Sequence, residues 1–174
     1  MLNIFFKVLL LFVLFSNVFI RVSFANLLDK DYKKCIDNAD IDSISYNDIK
    51  VETAEKFCLS ALKKYPKDIK INRSLGRINF IKEEYEKSYN FFNPIQNVDS
   101  YSLYMLSDMY LYGKYVKQDL NKSFKLIKQS ADLNYKGALI GIVSYYKNGT
   151  GTKANIDLAL SSLKKCARFN HSDC

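Results

Sequence analysis

The sequence predicts an all-α protein, a solenoid of about four antiparallel helix pairs. Three observations carry this expectation. A long segment matches itself at an offset of 36 residues. Apolar residues return at spacings of three and four, the period of one helix face. Glycine and Asp or Asn stand where paired helices must stop and restart.

The offset places Leu103 on Leu139, Leu106 on Ile142, Tyr110 on Tyr146 and Gly113 on Gly149. It also places Asp119 on Asn155, Phe124 on Leu160, Ile127 on Leu163 and Ala131 on Ala167. The spacing predicts a first helix from about Ser100 to Tyr112, ended by Gly113 in the left-handed region. Asp119 and Asn155 are predicted N-caps of second helices. Those helices carry the stripes Leu120, Phe124, Ile127, Ala131 and Ile156, Leu160, Leu163, Ala167. Each stripe is expected to bury one face. Upstream, Ala54, Cys58 and Ala61 precede Pro66, and 34 residues later come Ser88, Phe92, Ile95 and Ser100. Leu75-Gly76 sits on the helix before Ser88. Pro94 is expected to end that helix near Asn93.

Small, large, small on a second helix after Leu75-Gly76 resembles the tetratricopeptide repeat. The 36-residue units resemble its relative, the Sel-one-like repeat (SLR) family. The first unit offers Leu106, Tyr110, Gly113, Val116, Asp119, Lys122 and Ser123; the second offers Ile142, Tyr146, Gly149, Gly151, Asn155 and Ala159. Ser107 and Val143 depart from the family's first glycine, Tyr115 from its second, and Thr152 from its valine. The resemblance runs from about Val51 to Cys174 and is nearest to the exported cysteine-rich branch. It implies a right-handed α-solenoid, divided into a capping segment at 26–50, tetratricopeptide-like repeats at 51–99 and two Sel-one-like repeats at 100–174.

Residues 1–25 read as a signal peptide. A basic start precedes the apolar run Val8–Phe15, and Ser23-Phe24-Ala25 puts small residues where a peptidase cuts. Thirteen residues between Lys7 and Arg21 are too few for a spanning helix. No stable membrane span is expected after cleavage, and the mature chain is expected to be secreted or periplasmic. About 150 remaining residues can bury a real core as one domain.

Charged residues make up 25% and apolar residues 48%, which excludes a disordered chain. Of the net charge of +8, Lys7 and Arg21 lie in the first 25 residues; the remaining charge is spread along helices as Lys-Lys beside acids, a solvated surface and not a nucleic-acid site. Gly149-Thr150-Gly151 lacks the context of a phosphate loop.

An even count of four cysteines in an exported chain favours disulfides. Cys166 and Cys174 fall one repeat after Ser130 and Ala138, small sites where consecutive helices pack. Their eight-residue spacing also resembles the paired cysteines of the cysteine-rich branch. Cys58 faces inward and Cys35 lies one antiparallel helix earlier, so a Cys35–Cys58 bridge is expected as the second. Four cysteines allow three connectivities, and sequence alone does not choose. Cys166, His171 and Cys174 lack an evident fourth ligand, so no metal is expected, and no cofactor either.

The one histidine lies near the carboxy terminus, which argues against a Ser-His-Asp triad. Ser-x-x-Lys occurs at Ser60, Ser161 and Ser162 without the partner motifs of penicillin-recognising enzymes. Some cysteine-rich members of the resembled family have been assigned penicillin-binding or β-lactamase activity, which stands as the enzyme alternative. The expected function is non-catalytic: an exported protein-binding scaffold or adaptor. By resemblance, the inner positions of its concave surface include Arg73, Arg77, Tyr101, Tyr104 and Asp108. Guanidinium forks and tyrosine rings suit a protein or peptide partner of acidic character.

Overall fold

A computed structural model describes residues 30–168, and all regular structure in that range is helical. Helix α1 occupies 30–39 and is followed by a 3-10 turn at Tyr46–Asp48. The remaining helices are α2 (Val51–Leu62), α3 (Ile69–Ile81), α4 (Tyr85–Phe92), α5 (Ser100–Tyr112), α6 (Leu120–Asp132), α7 (Lys136–Asn148) and α8 (Ile156–Arg168). They form four successive helix pairs, the helical-repeat solenoid expected from the sequence. The expected signal peptide at 1–25 and the carboxy-terminal His171 and Cys174 lie outside the described residues.

Caps set the boundaries. The Asp68, Asp99 and Asp119 carboxylates accept from the backbone N–H groups of Ile71, Ser102 and Lys122. Asn155 Oδ1 accepts from Leu158 N–H at 2.9 Å. Each bond satisfies an orphan donor of a helix start. Gly113 and Gly149 close α5 and α7 at φ of 67° and 71°. Helix α4 stops at Phe92 because Pro94 cannot continue it, and a 3-10 turn at Asn93–Ile95 follows. Tyr115 stands at φ 65°, a left-handed position where the repeat pattern has glycine.

Within pairs, α3 packs on α4, α5 on α6 and α7 on α8; α2–α3, α4–α5 and α6–α7 join the pairs. The contacts rest on small residues. A Cβ on Gly76 would meet the Phe92 ring at 2.4 Å, so only glycine lets that ring sit flat on α3. Buried serines then pin neighbouring helices. Ser88 Oγ donates to Gly76 O at 2.9 Å, Ser123 Oγ to Ser107 O at 2.8 Å and Ser130 Oγ to Ser100 O at 2.6 Å.

One sequence expectation is corrected. On α6, Ile127 and Ala131 are buried beside α7 and Phe124 is half-buried, while Leu120 at the start of the stripe is exposed. The matching stripe on α8 is not buried: Ile156, Leu160 and Leu163 are 58, 51 and 37% exposed, and Ala167 is exposed too. A second-helix stripe is covered by the pair that follows it, and no such pair follows α8 among the described residues. Helix α8 instead buries Ala159 and Cys166.

Helix α3 is the most enclosed element. Every residue from 71 to 79 is buried, including Asn72, Arg73, Arg77 and Asn79. Residues 40–50 run across it, and a disulfide between Cys35 and Cys58 holds α1 to α2. No helix among the described residues is long and apolar enough to cross a membrane.

Candidate binding site

Arg73 and Arg77 stand four apart on α3, and Tyr101, Tyr104 and Asp108 stand three and four apart on α5. Each set therefore shares one helix face. The two arginines meet different surroundings.

Arg73 is consumed internally. Its Nε and Nη2 donate to Asp40 at 2.8–3.0 Å, Nη1 donates to Asp99 at 3.0 Å, and Nη2 also reaches Asp42 at 3.1 Å. Asp40 is fully buried and Asp99 nearly so. Burial works against the Arg73 charge, but the three carboxylates outweigh it and hold the guanidinium above its ordinary pKa. The expectation that Arg73 offers a free fork to a ligand is thereby corrected. The chain's own Asp40 and Asp42 occupy it.

Arg77 lies one turn later at a pocket of about 520 Å³, whose wall also includes Tyr101, Tyr104 and Asp108. Four of the five residues expected at the concave surface thus share one cavity. The 41–46 segment closes one side with Ile41, Ile44 and Tyr46, while Phe80, Met105 and Tyr135 complete it. Arg77 donates through Nη1 to Ala39 O and through Nη2 to Ile44 O at 3.3 Å. Its guanidinium lies 5.7 Å from the Tyr101 ring centroid, a cation–π contact. Tyr135 packs edge-on against Tyr101 at 5.6 Å and tilted against Tyr104 at 5.3 Å.

Burial governs the electrostatics. It raises Tyr101, with Arg77 pulling the other way, and pushes Tyr135 up to about 12. Burial also raises Tyr104, helped by the nearby Asp108 charge. The Asp108 carboxyl is raised by burial and only partly offset by Lys114. The tyrosines are therefore neutral hydrogen-bonding groups at physiological pH.

Sequence reasoning missed the 41–46 wall and Tyr135. Tyr135 precedes the first helix of the last pair, outside any stripe. The available signal for the wall was Asp40 and Asp42, acids in a segment ending just before α2, which match the charge of α3.

A second, shallower cavity of about 860 Å³ lies along the α5–α6 loop. There Lys122 Nζ donates to Tyr110 Oη at 2.6 Å. The Ser-x-x-Lys serines lie elsewhere. Ser60 Oγ donates to Asp31 at 2.6 Å, Ser162 Oγ to Leu158 O at 2.9 Å, and Ser161 is exposed on α8. No metal-type cluster of His, Cys, Asp and Glu occurs among the described residues. The Cys35–Cys58 bridge is present as expected. Cys166 is fully buried, and its expected partner Cys174 lies outside the described residues.

The Sel1 repeat family model matches residues 100–135 and 138–161. These residues carry Sel1 repeats. A Sel1 repeat protein from Oxalobacter formigenes superposes with a TM-score of 0.53 at 27% identity, covering 56% of this chain and 40% of that one. A protective antigen present in uropathogenic Escherichia coli strains, displaying an SLR fold, superposes with a TM-score of 0.66 at 19% identity, covering 80% of this chain and 30% of that one. The chain thus spans less than half the length of either neighbour. No curated protein matches it by sequence. Sel1 repeats generally mediate protein interactions on a typically non-catalytic scaffold.

Proposed function

We propose that this Sel1-repeat chain is an exported, non-catalytic scaffold or adaptor that binds a protein or peptide segment on the face formed by α3 and α5. The observation that carries the reading is the pocket joining Arg77, Tyr101, Tyr104 and Asp108. A cation, a carboxylate and aromatic walls suit recognition. Among the described residues lining that cavity there is no histidine or lysine to activate Ser45, and Ser60 is hydrogen-bonded to Asp31. Export rests on the leader at 1–25 and fits the Cys35–Cys58 bridge, since disulfides persist in oxidising compartments. A second bridge from Cys166 to Cys174 belongs to the same reading. So does the division into a cap at 26–50, tetratricopeptide-like repeats at 51–99 and Sel1 repeats from 100 onward.

Photocrosslinking in the native compartment tests the proposal. A photoreactive residue at Tyr104 should capture one dominant partner, while the same residue at exposed Lys125 on α6 should not. Capture from position 125 and none from 104 would move the binding surface to the second helices.

A further inference from the structure

Arg77 has a feature that Arg73 lacks. It is only 3% exposed, yet no carboxylate among the described residues pairs with it. A guanidinium carries five N–H donors. Backbone carbonyls of Ala39 and Ile44 accept from two, and the buried Nε has no acceptor. The nearby carboxylates of Asp40, Asp42 and Asp99 are already engaged with Arg73. A buried cation without a contacting counter-charge is costly, and an arriving anion relieves that cost.

The rest of the cavity restricts which anion fits. Asp108 stands seven residues beyond Tyr101 on α5, about 10 Å along the helix axis. It places a negative group at the opposite end from the Arg77–Tyr101 contact. The stretch between is walled by Tyr104, Met105 and Phe80, which offer apolar and ring surface. We infer that the pocket takes a single carboxylate carried on an apolar or aromatic stem, with the carboxylate at Arg77 and an uncharged end toward Asp108. This rests on the proposed binding face and narrows it: acidic runs meet repulsion at Asp108, whereas one terminal carboxylate does not. The same chemistry is offered by the free carboxy terminus of a peptide and by a small aryl-alkyl acid.

The test uses the full oxidised chain, calorimetry and the methyl NMR signal of Met105. The probes are N-acetyl-phenylalanine, its amide, N-succinyl-phenylalanine, and a hexapeptide ending in phenylalanine as free acid and as amide. The free acid should shift the Met105 signal and bind at least about tenfold more tightly than its amide, the value of one charge-assisted contact. N-succinyl-phenylalanine, with a second carboxylate at the far end, should bind more weakly, and Asp108→Asn should bring it within about twofold of the acetyl form. Tyr104→Ala should weaken every acid. Both variants leave Arg77 and its carbonyl contacts in place, and an unchanged melting temperature checks that Tyr104→Ala, which removes a ring packed on Tyr135, still folds. Tighter binding of the hexapeptide acid than of N-acetyl-phenylalanine assigns the site to a chain terminus; the reverse order assigns it to a small acid. Equal binding of acid and amide, or no Met105 shift with either at millimolar concentration, overturns the inference. If crosslinking from position 104 still captures a partner in that case, the binding face stands and only the carboxylate assignment falls.

Discussion

Around α3, a disulfide and four charged side chains tie together segments from Cys35 to Asp99. From α6 to α8, the buried positions among the described residues hold apolar groups and two serines, Ser123 and Ser130, with no charged group. The difference teaches how one repeat architecture is made cohesive in two ways. Where a following pair repeats the same pattern, small residues and a regular stripe suffice. Where the first pair meets an irregular covering segment, no stripe is available, and covalent and ionic links replace it.

The largest expected effect separates these regions. Arg73→Met leaves Asp40 and Asp99 buried without their counter-charge, and should cost about 3–5 kcal/mol in denaturant unfolding. A loss under about 1 kcal/mol would show that the ionic cluster adds no cohesion. Next, replacing Cys35 and Cys58 by alanine opens a loop with a sequence separation of 23 and should cost about 3.4 kcal/mol in the chain-entropy account. Hydrogen exchange should accelerate in α1 and α2 and stay unchanged in α7 and α8.

The carboxy-terminal region should break at its backbone contacts. Gly151 has φ 63°, and a Cβ there would lie 1.9 Å from Leu120 O. Gly151→Ala should cost at least about 2 kcal/mol, because both the left-handed backbone and the close carbonyl oppose it. Thermal unfolding with unchanged α1–α2 exchange would localise the damage to the α7–α8 loop.

The smallest effect lies at Asp108, in the seam between regions. Burial raises its folded pKa above the unfolded carboxylate value of about 3.9. The folded chain then keeps a proton that the unfolded chain has lost, so stability falls as pH rises through that window. The penalty is absent below the unfolded value and complete above the folded one. Asp108→Asn should therefore match the parent at pH 3 and exceed it at pH 7. A constant difference across that range would place the carboxylate in effective contact with water.

Much of this arrangement was legible in the sequence. The 36-residue offset located α5 to α8, and Asp119, Gly113 and Pro94 marked boundaries seen in the fold. Local spacing worked there because each signal acts within a turn or two of the chain. The α8 stripe misled because its burial depends on a neighbour, not on its own period. Arg73 misled for a related reason. Helical spacing placed it correctly on the face it shares with Arg77, but what covers that face comes from residues 40–42, over thirty positions away. Tyr135 and Tyr46 joined the pocket through packing between elements, which no single-helix pattern encodes.

The ionic cluster also bears on how the molecule comes apart. In a stack of repeats, each unit ordinarily feels only its immediate neighbours, and ends can fray one pair at a time. Arg73 on the second pair grips Asp40 next to α1 and Asp99 at the cap of α5 in one guanidinium. Pairs one and three are thereby linked through a residue that belongs to neither. Loss of the first pair strips the counter-charge from the third pair's cap, so fraying from the amino end carries a penalty that reaches two units inward. The first three pairs should open together in a single cooperative step, leaving sequential fraying to the carboxy-terminal pair alone.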